Sequence, residues 1–172
     1  MADPSLFDPL RIPSEALITL DNRAYHFAIQ PWHYLLRMTH IVSAAAFFGG
    51  IVLFDLRLIG LRSHAQLKAF AADSLPWLYI TFVVAMASGF LLFLYDPVHI
   101  GSRAYFMPKM VMIALGLLNT LIYRSLAFGL AFKAATTPSS AKLAGTLSLI
   151  FWIGVMAFSS MNAEGVPKVL LR

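Results

Sequence analysis

Four long apolar runs, separated by short polar connections, set the pattern of this chain. A membrane-crossing helix needs about 20 mainly apolar residues, and four stretches meet that length. The first runs from about Tyr34 to Ile59, with Trp32 and Tyr34 as interfacial aromatics. The second runs from about Leu75 to Tyr95, where Ser74 and Pro76 suit a start and Asp96-Pro97 suits a stop. The third runs from about Phe106 to Phe132, with Pro108 in its first turn, where a missing N–H costs little. The fourth runs from about Ala141 to Met161 and follows "TTPSS", a turn with capping hydroxyls.

Short connections make neighbouring helices antiparallel, so the pattern predicts an all-α, integral-membrane, up-down-up-down bundle over residues 32–172. Small residues at four-residue spacing (Ala45 with Gly49, Ala46 with Gly50, Ala85 with Gly89) suit close helix packing. Residues 1–31 differ. Pro4, Pro9, Pro13 and Pro31 punctuate them, and Asp3, Asp8, Glu15 and Asp21 make them too polar to span. Within this interfacial or extramembrane segment, "SEALITLDNRAYHF" is expected to form a short helix lying on the membrane.

Composition agrees with the pattern. The 172 residues are 59% hydrophobic and only 12% charged, with a mean hydropathy of +0.75. A soluble domain carries about twice that charge. The net charge of +5 is spread over helix ends, so it reads as membrane-flank charge and not as a nucleic-acid patch. The absence of cysteine excludes disulfides, iron–sulfur clusters, thiolate zinc sites and c-type haem. "MADPSLFDPLRIP" lacks the basic start and apolar core of a signal peptide, so the first span is expected to direct insertion. Basic residues hardly decide orientation. Arg57, Arg62, Lys68, Arg124, Lys133 and Lys142 flank one side, and Arg23, Arg37, Arg103, Lys109, Lys168 and Arg172 the other. A bacterial inner membrane with both termini periplasmic is the expected placement.

The bundle sorts polar residues by end. His26, His33, His40, His99, Asp96, Arg37, Lys109, Asn162 and Glu164 fall at the terminal side, and His64 alone among the histidines falls at the other. Seven residues at 100° return the helix to within about 20°, so His33 and His40 share a stripe about 10 Å apart along the axis. Ser43, Ala44, Phe47 and Ile51 continue that stripe to Asp55. His40 lies deepest, and an ionisable group at depth needs a use or a partner.

Two imidazoles at similar depth suit a b-type haem. His40 and His99 make the best pair of iron ligands, with His33 able to replace either. Arg37, Arg103 and Lys109 would meet the propionates, and Phe47, Phe93 and Phe106 would flank the ring. The plainer reading is that His26 and His33 are hydrated at an aromatic belt, His99 is a loop residue, and a helix-four hydroxyl such as Ser159 satisfies His40. Asn119 suits an interhelical bond, or contact with a quinone or an ion path. Asp55 and Arg57 suit a salt-bridged or snorkelling helix end. Met107, Met110, Met112 and Met161 suit apolar filling or copper(I) ligation.

"THIVSAAAFFGGIVLFDLRLIGLR" (39–62) resembles the first helix of a family of small four-helix bacterial inner-membrane proteins of unknown function. The pattern falls on His40-Ile41, Gly49-Gly50 and Asp55-Leu56-Arg57-Leu58-Ile59-Gly60, with further likeness at "LPW" (75–77), "SGFLLF" (88–93) and "FMPKM" (106–110) leading to Asn119. The family's Gly-Arg pair near the end of helix four is replaced here by "FSSMNAEG", so no role of that arginine transfers. More distantly the chain resembles copper-resistance D-type membrane domains and four-helix b-type cytochromes. The resemblance implies a four-helix bundle with a histidine on helix one, and no reaction.

No nucleophile–base pair or phosphate loop stands out. Three functions follow as expectations: a haem b subunit passing electrons between a partner protein and quinone; an accessory subunit of a larger membrane complex; or a membrane protein handling copper, another metal or a small solute.

Overall fold

The computed structural model describes residues 7–61, 67–126 and 138–164. Its helices are α1 (Ser14–Ile18), α2 (Arg23–Ile29), α3 (His33–Ile59), α4 (Leu67–Tyr95), α5 (Pro97–Gly101), α6 (Phe106–Leu126) and α7 (Ser139–Glu164). No strand occurs among the described residues, and four helices are long and apolar enough to cross a membrane. Only 17% to 22% of the most apolar window of each is buried within the bundle. Most of their apolar surface therefore faces outward, as lipid-facing helices require.

Facing pairs fix the topology. Gly50 meets Leu78 while His40 meets Ala85 and Gly89, so α3 and α4 are antiparallel. Gly145 meets Asp55 and Leu58 while Phe47 meets Trp152, so α7 is antiparallel to α3. Asn119 meets Ala144 while Met112 meets Gly154, so α6 and α7 are antiparallel as well. The bundle is up-down-up-down. The helices pack in the order α4, α3, α7, α6, and the fourth side of the square, between α4 and α6, is hardly closed.

Two boundaries depart from expectation. "SEALITLDNRAYHF" gives two helices, because the Asn22 side chain accepts from the Ala24 N–H (2.9 Å) and starts α2 afresh. A 3₁₀ turn at Gln30–Trp32 then leads α2 into α3. Ser74 and Pro76 do not start the second span. Helix α4 begins at Leu67 and contains Pro76, and the Ser74 hydroxyl donates back to the Phe70 carbonyl (2.6 Å). The expected end of the third span, 127–132, lies outside the described residues.

The N-terminal segment caps the terminal end of the bundle. Phe7 packs edge-on against Tyr105 and Phe158. Leu17 is 2% exposed, seated where Gly101 leaves no side chain in its way. Arg11 pairs with Asp8 (2.7 Å) and donates to the Ser102 carbonyl (3.3 Å).

Candidate functional site

The histidine-rich end resolves into separate small arrangements. His40 sits in the α3–α4 seam, its Nδ1 2.9 Å from the Ala85 carbonyl and 3.3 Å from Ser88 Oγ. A carbonyl only accepts, so Nδ1 carries the proton and Nε2 the lone pair. The expected Ser159 partner on the fourth span is thus replaced by groups of the second. Room for the ring comes from Gly89 on that helix, where a Cβ would lie 2.8 Å from His40 Cε1.

His33 and His26 both lie against Tyr95, with ring centroids 4.5 Å and 4.4 Å away. His26 Nδ1 also lies 3.2 Å from the Tyr95 carbonyl. His99 is in α5, where Asp96 caps its backbone N–H (3.1 Å). Its Nε2 lies 2.6 Å from the Arg103 guanidinium, which also donates to the Asn162 carbonyl of α7. Lys109 lies over the Phe106 ring at 5.0 Å, Phe106 stacks on Phe93, and Arg37 is exposed. Neither His40 nor His99 bonds the other, and no group of three or more His, Asp or Glu converges among the described residues.

At the opposite end, 15 residues and about 22 Å along α3 from His40, the bundle encloses a cavity of about 240 Å³. Helix α3 lines it with Phe47, Ile51, Phe54, Asp55 and Leu58, and α4 with Leu75, Leu78, Tyr79 and Phe82. Helix α6 adds Leu117, Asn119, Thr120 and Tyr123, and α7 adds Ala144, Ser148 and Trp152. The α3 and α7 walls are deep: Phe54, Leu58, Ala144 and Trp152 are all buried. Tyr79 and Leu117, by contrast, are 44% and 37% exposed. The mouth therefore opens sideways between α4 and α6, where the bundle is least closed.

Asp55 is the chemical centre of this cavity. It is 2% exposed, and the Ser148 hydroxyl donates to its carboxylate. Its Oδ2 is buried without a hydrogen-bond partner, as is Trp152 Nε1. The expected salt-bridged helix end is therefore wrong for Asp55. Helix α3 continues past it, and Gly145 lets α7 close over it, with room for a Cβ only at 3.1 Å from the Asp55 carbonyl. Arg57 points elsewhere and stacks on Phe70, 3.9 Å from the ring centroid. Asn119 makes the interhelical bond expected of it, donating to the Ala144 carbonyl (2.9 Å), and it also borders the cavity. Sequence reasoning placed Asp55 on the right stripe. It missed the cavity, because the stripe does not say which helix covers its far end.

A second, shallower groove of about 330 Å³ lies on the outer α3–α4 face between Met38, Val42, Ala46, Ile80 and Val84, and no ionisable side chain lines it. Comparison with protein-family models, with curated proteins and with solved structures finds no match to this chain.

Proposed function

We propose that this chain handles a small membrane-soluble molecule, taken up sideways between α4 and α6 into the cavity beneath Asp55. The observation that carries this reading is a buried aspartate, one carboxylate oxygen of which has no hydrogen-bond partner, in the lining of a cavity whose mouth is on the apolar flank of the bundle. Burying a polar atom unsatisfied is costly, and such costs collect at functional sites. A cavity lined mainly by apolar and aromatic side chains with a few polar groups is the usual form of a small-molecule site.

Trp152 supplies the test. Of the three tryptophans, Trp32 and Trp77 lie outside the cavity. In a Trp32→Phe, Trp77→Phe protein, bromobenzene, a lipid-soluble quencher, should quench Trp152 saturably. Thr120→Phe, which fills the cavity from its α6 wall, should abolish the saturable part. Linear quenching, equal in both proteins, retires the reading.

The haem reading keeps one observation in its favour. The Ala85 carbonyl fixes the His40 tautomer in which Nε2 has the lone pair an iron needs. Two others weigh against the His40–His99 pair: Nε2 of His99 faces the Arg103 guanidinium, and neither cavity described above is lined by either histidine. An absorbance spectrum of protein made with ample haem decides it, since electron transfer through haem b requires a Soret band that His40→Ala removes. We place the chain in a bacterial inner membrane with both termini periplasmic. A cysteine at Ala24, in a chain without its own, should then label from outside intact cells with an impermeant maleimide, and protection of that position would reverse the orientation.

A further inference from the structure

We infer that the ligand of this cavity is an organic cation with an apolar body, its charge held by the Asp55 carboxylate and its bulk by a wall of aromatic rings. This rests on reading the cavity as a ligand site, and it adds the chemistry of the ligand.

Charge is the first argument. Among the described residues, Asp55 is the one carboxylate that borders the cavity, and no Lys, Arg or His borders it. Buried carboxylates are normally paired. Here Ser148 serves the carboxylate with one hydrogen bond, and Oδ2 has no partner from the protein. The complement that a charged Asp55 lacks is a positive group, and no described residue of the lining supplies one.

The wall is the second argument. Phe47, Phe54, Tyr79, Phe82, Tyr123 and Trp152 bring aromatic rings from all four long helices. Phe47, Phe82 and Trp152 meet one another at steep angles, with centroids 4.6 to 5.9 Å apart, so faces and edges are both presented. Aromatic faces attract cations, most strongly where water is excluded. A carboxylate beside such rings is the chemistry that recognises ammonium groups carrying alkyl or aryl bulk.

Layout is the third. Asp55 lies near the loop-side end of α3, and Phe47 lies eight residues deeper, about 12 Å along the axis. The polar groups Asn119, Tyr123 and Ser148 gather at the Asp55 end, while Phe47, Phe82 and Trp152 form the floor. An amphipathic cation entering from the bilayer would keep its charge towards the membrane boundary and its body towards the bundle centre. A hard metal ion fits poorly, because it requires six or more oxygen ligands and this lining is mostly carbon.

The test uses benzyltrimethylammonium and its uncharged isostere neopentylbenzene, each competing with bromobenzene for Trp152 in the full chain. Benzyltrimethylammonium should relieve the quenching saturably. Asp55→Asn should raise the concentration required about thirtyfold or more, Asp55→Glu should restore most of the effect, and neopentylbenzene should displace bromobenzene equally from wild type and Asp55→Asn. Equal displacement by the cation from wild type and Asp55→Asn overturns the inference and leaves the cavity reading standing; loss of saturable bromobenzene quenching itself would instead remove that reading. Where Asp55→Asn fails to fold, the wild-type protein still decides through the sign of charge. The cation must displace bromobenzene and phenylmethanesulfonate, an anion of similar size, must not; equal displacement overturns the inference.

Discussion

A methyl group at position 89 would sit 2.8 Å from Cε1 and 3.2 Å from Nδ1 of His40. That ring is held by the Ala85 carbonyl, so it cannot swing aside without losing a bond. Gly89→Ala should therefore force α3 and α4 apart and destabilise the bundle by about 1–3 kcal/mol, read as the unfolding midpoint in mixed micelles. The same change in a His40→Ala background should cost much less. A coupling between the two sites near zero would show that the ring does not occupy this seam. Asp55 calls for the opposite experiment. Its carboxylate is buried and incompletely bonded, so Asp55→Leu should leave the stability unchanged or raise it by about 1–3 kcal/mol. Ser148 would lose its acceptor, but a hydroxyl can turn to its own helix, as those of Ser43, Ser74 and Ser88 do. Stability gained as cation displacement disappears is the signature of a residue kept for binding.

At the scale of the element, α3 shows how a motif divides into packing and termination. Gly60 has φ 96° and ψ 16°, and its N–H and that of Leu61 return to the Arg57 and Leu56 carbonyls. This left-handed cap favours glycine, so Gly60→Ala should cost about 1 kcal/mol. Gly60→Asn should cost less, in the same unfolding assay. Of the two glycines at 49 and 50, only the second is needed for space: a Cβ at Gly50 would meet Leu78 at 2.7 Å, and one at Gly49 would meet nothing within 4 Å. Small-residue spacing in the sequence marks both alike, and only the placement of α4 tells them apart. The same limit explains the other departures. Hydropathy and phase made the four spans and the His40–Phe47–Asp55 stripe legible, because both are properties of one helix. The partner of His40, the burial of Asp55 and the start of α4 before Ser74 depend on which helices meet. Pro76 reads locally as a start signal, yet it sits within a helix two turns old.

The whole molecule is a square of helices with three well-packed sides, and the fourth side is where the proposed site meets its surroundings. Helix α3 touches α4 and α7, α6 touches α7, and the α4–α6 flank is left to Tyr79, Leu117 and the cavity behind them. This arrangement follows from where the small residues lie: Gly50 and Gly89 draw α4 onto α3, Gly145 draws α7 onto α3, and Gly116 with Gly154 draw α6 and α7 together. A chain with no cysteine allows one spin label at a time, so the outlook of that flank is measurable. Labels at Leu117→Cys and Tyr79→Cys in nanodiscs should relax more with lipid-soluble oxygen than with a water-soluble nickel chelate. Adding benzyltrimethylammonium should reduce both accessibilities, and it should do so only while Asp55 is present. Stronger relaxation by the nickel chelate at both positions would make the mouth aqueous, and the ligand would then have to come from water and not from the bilayer.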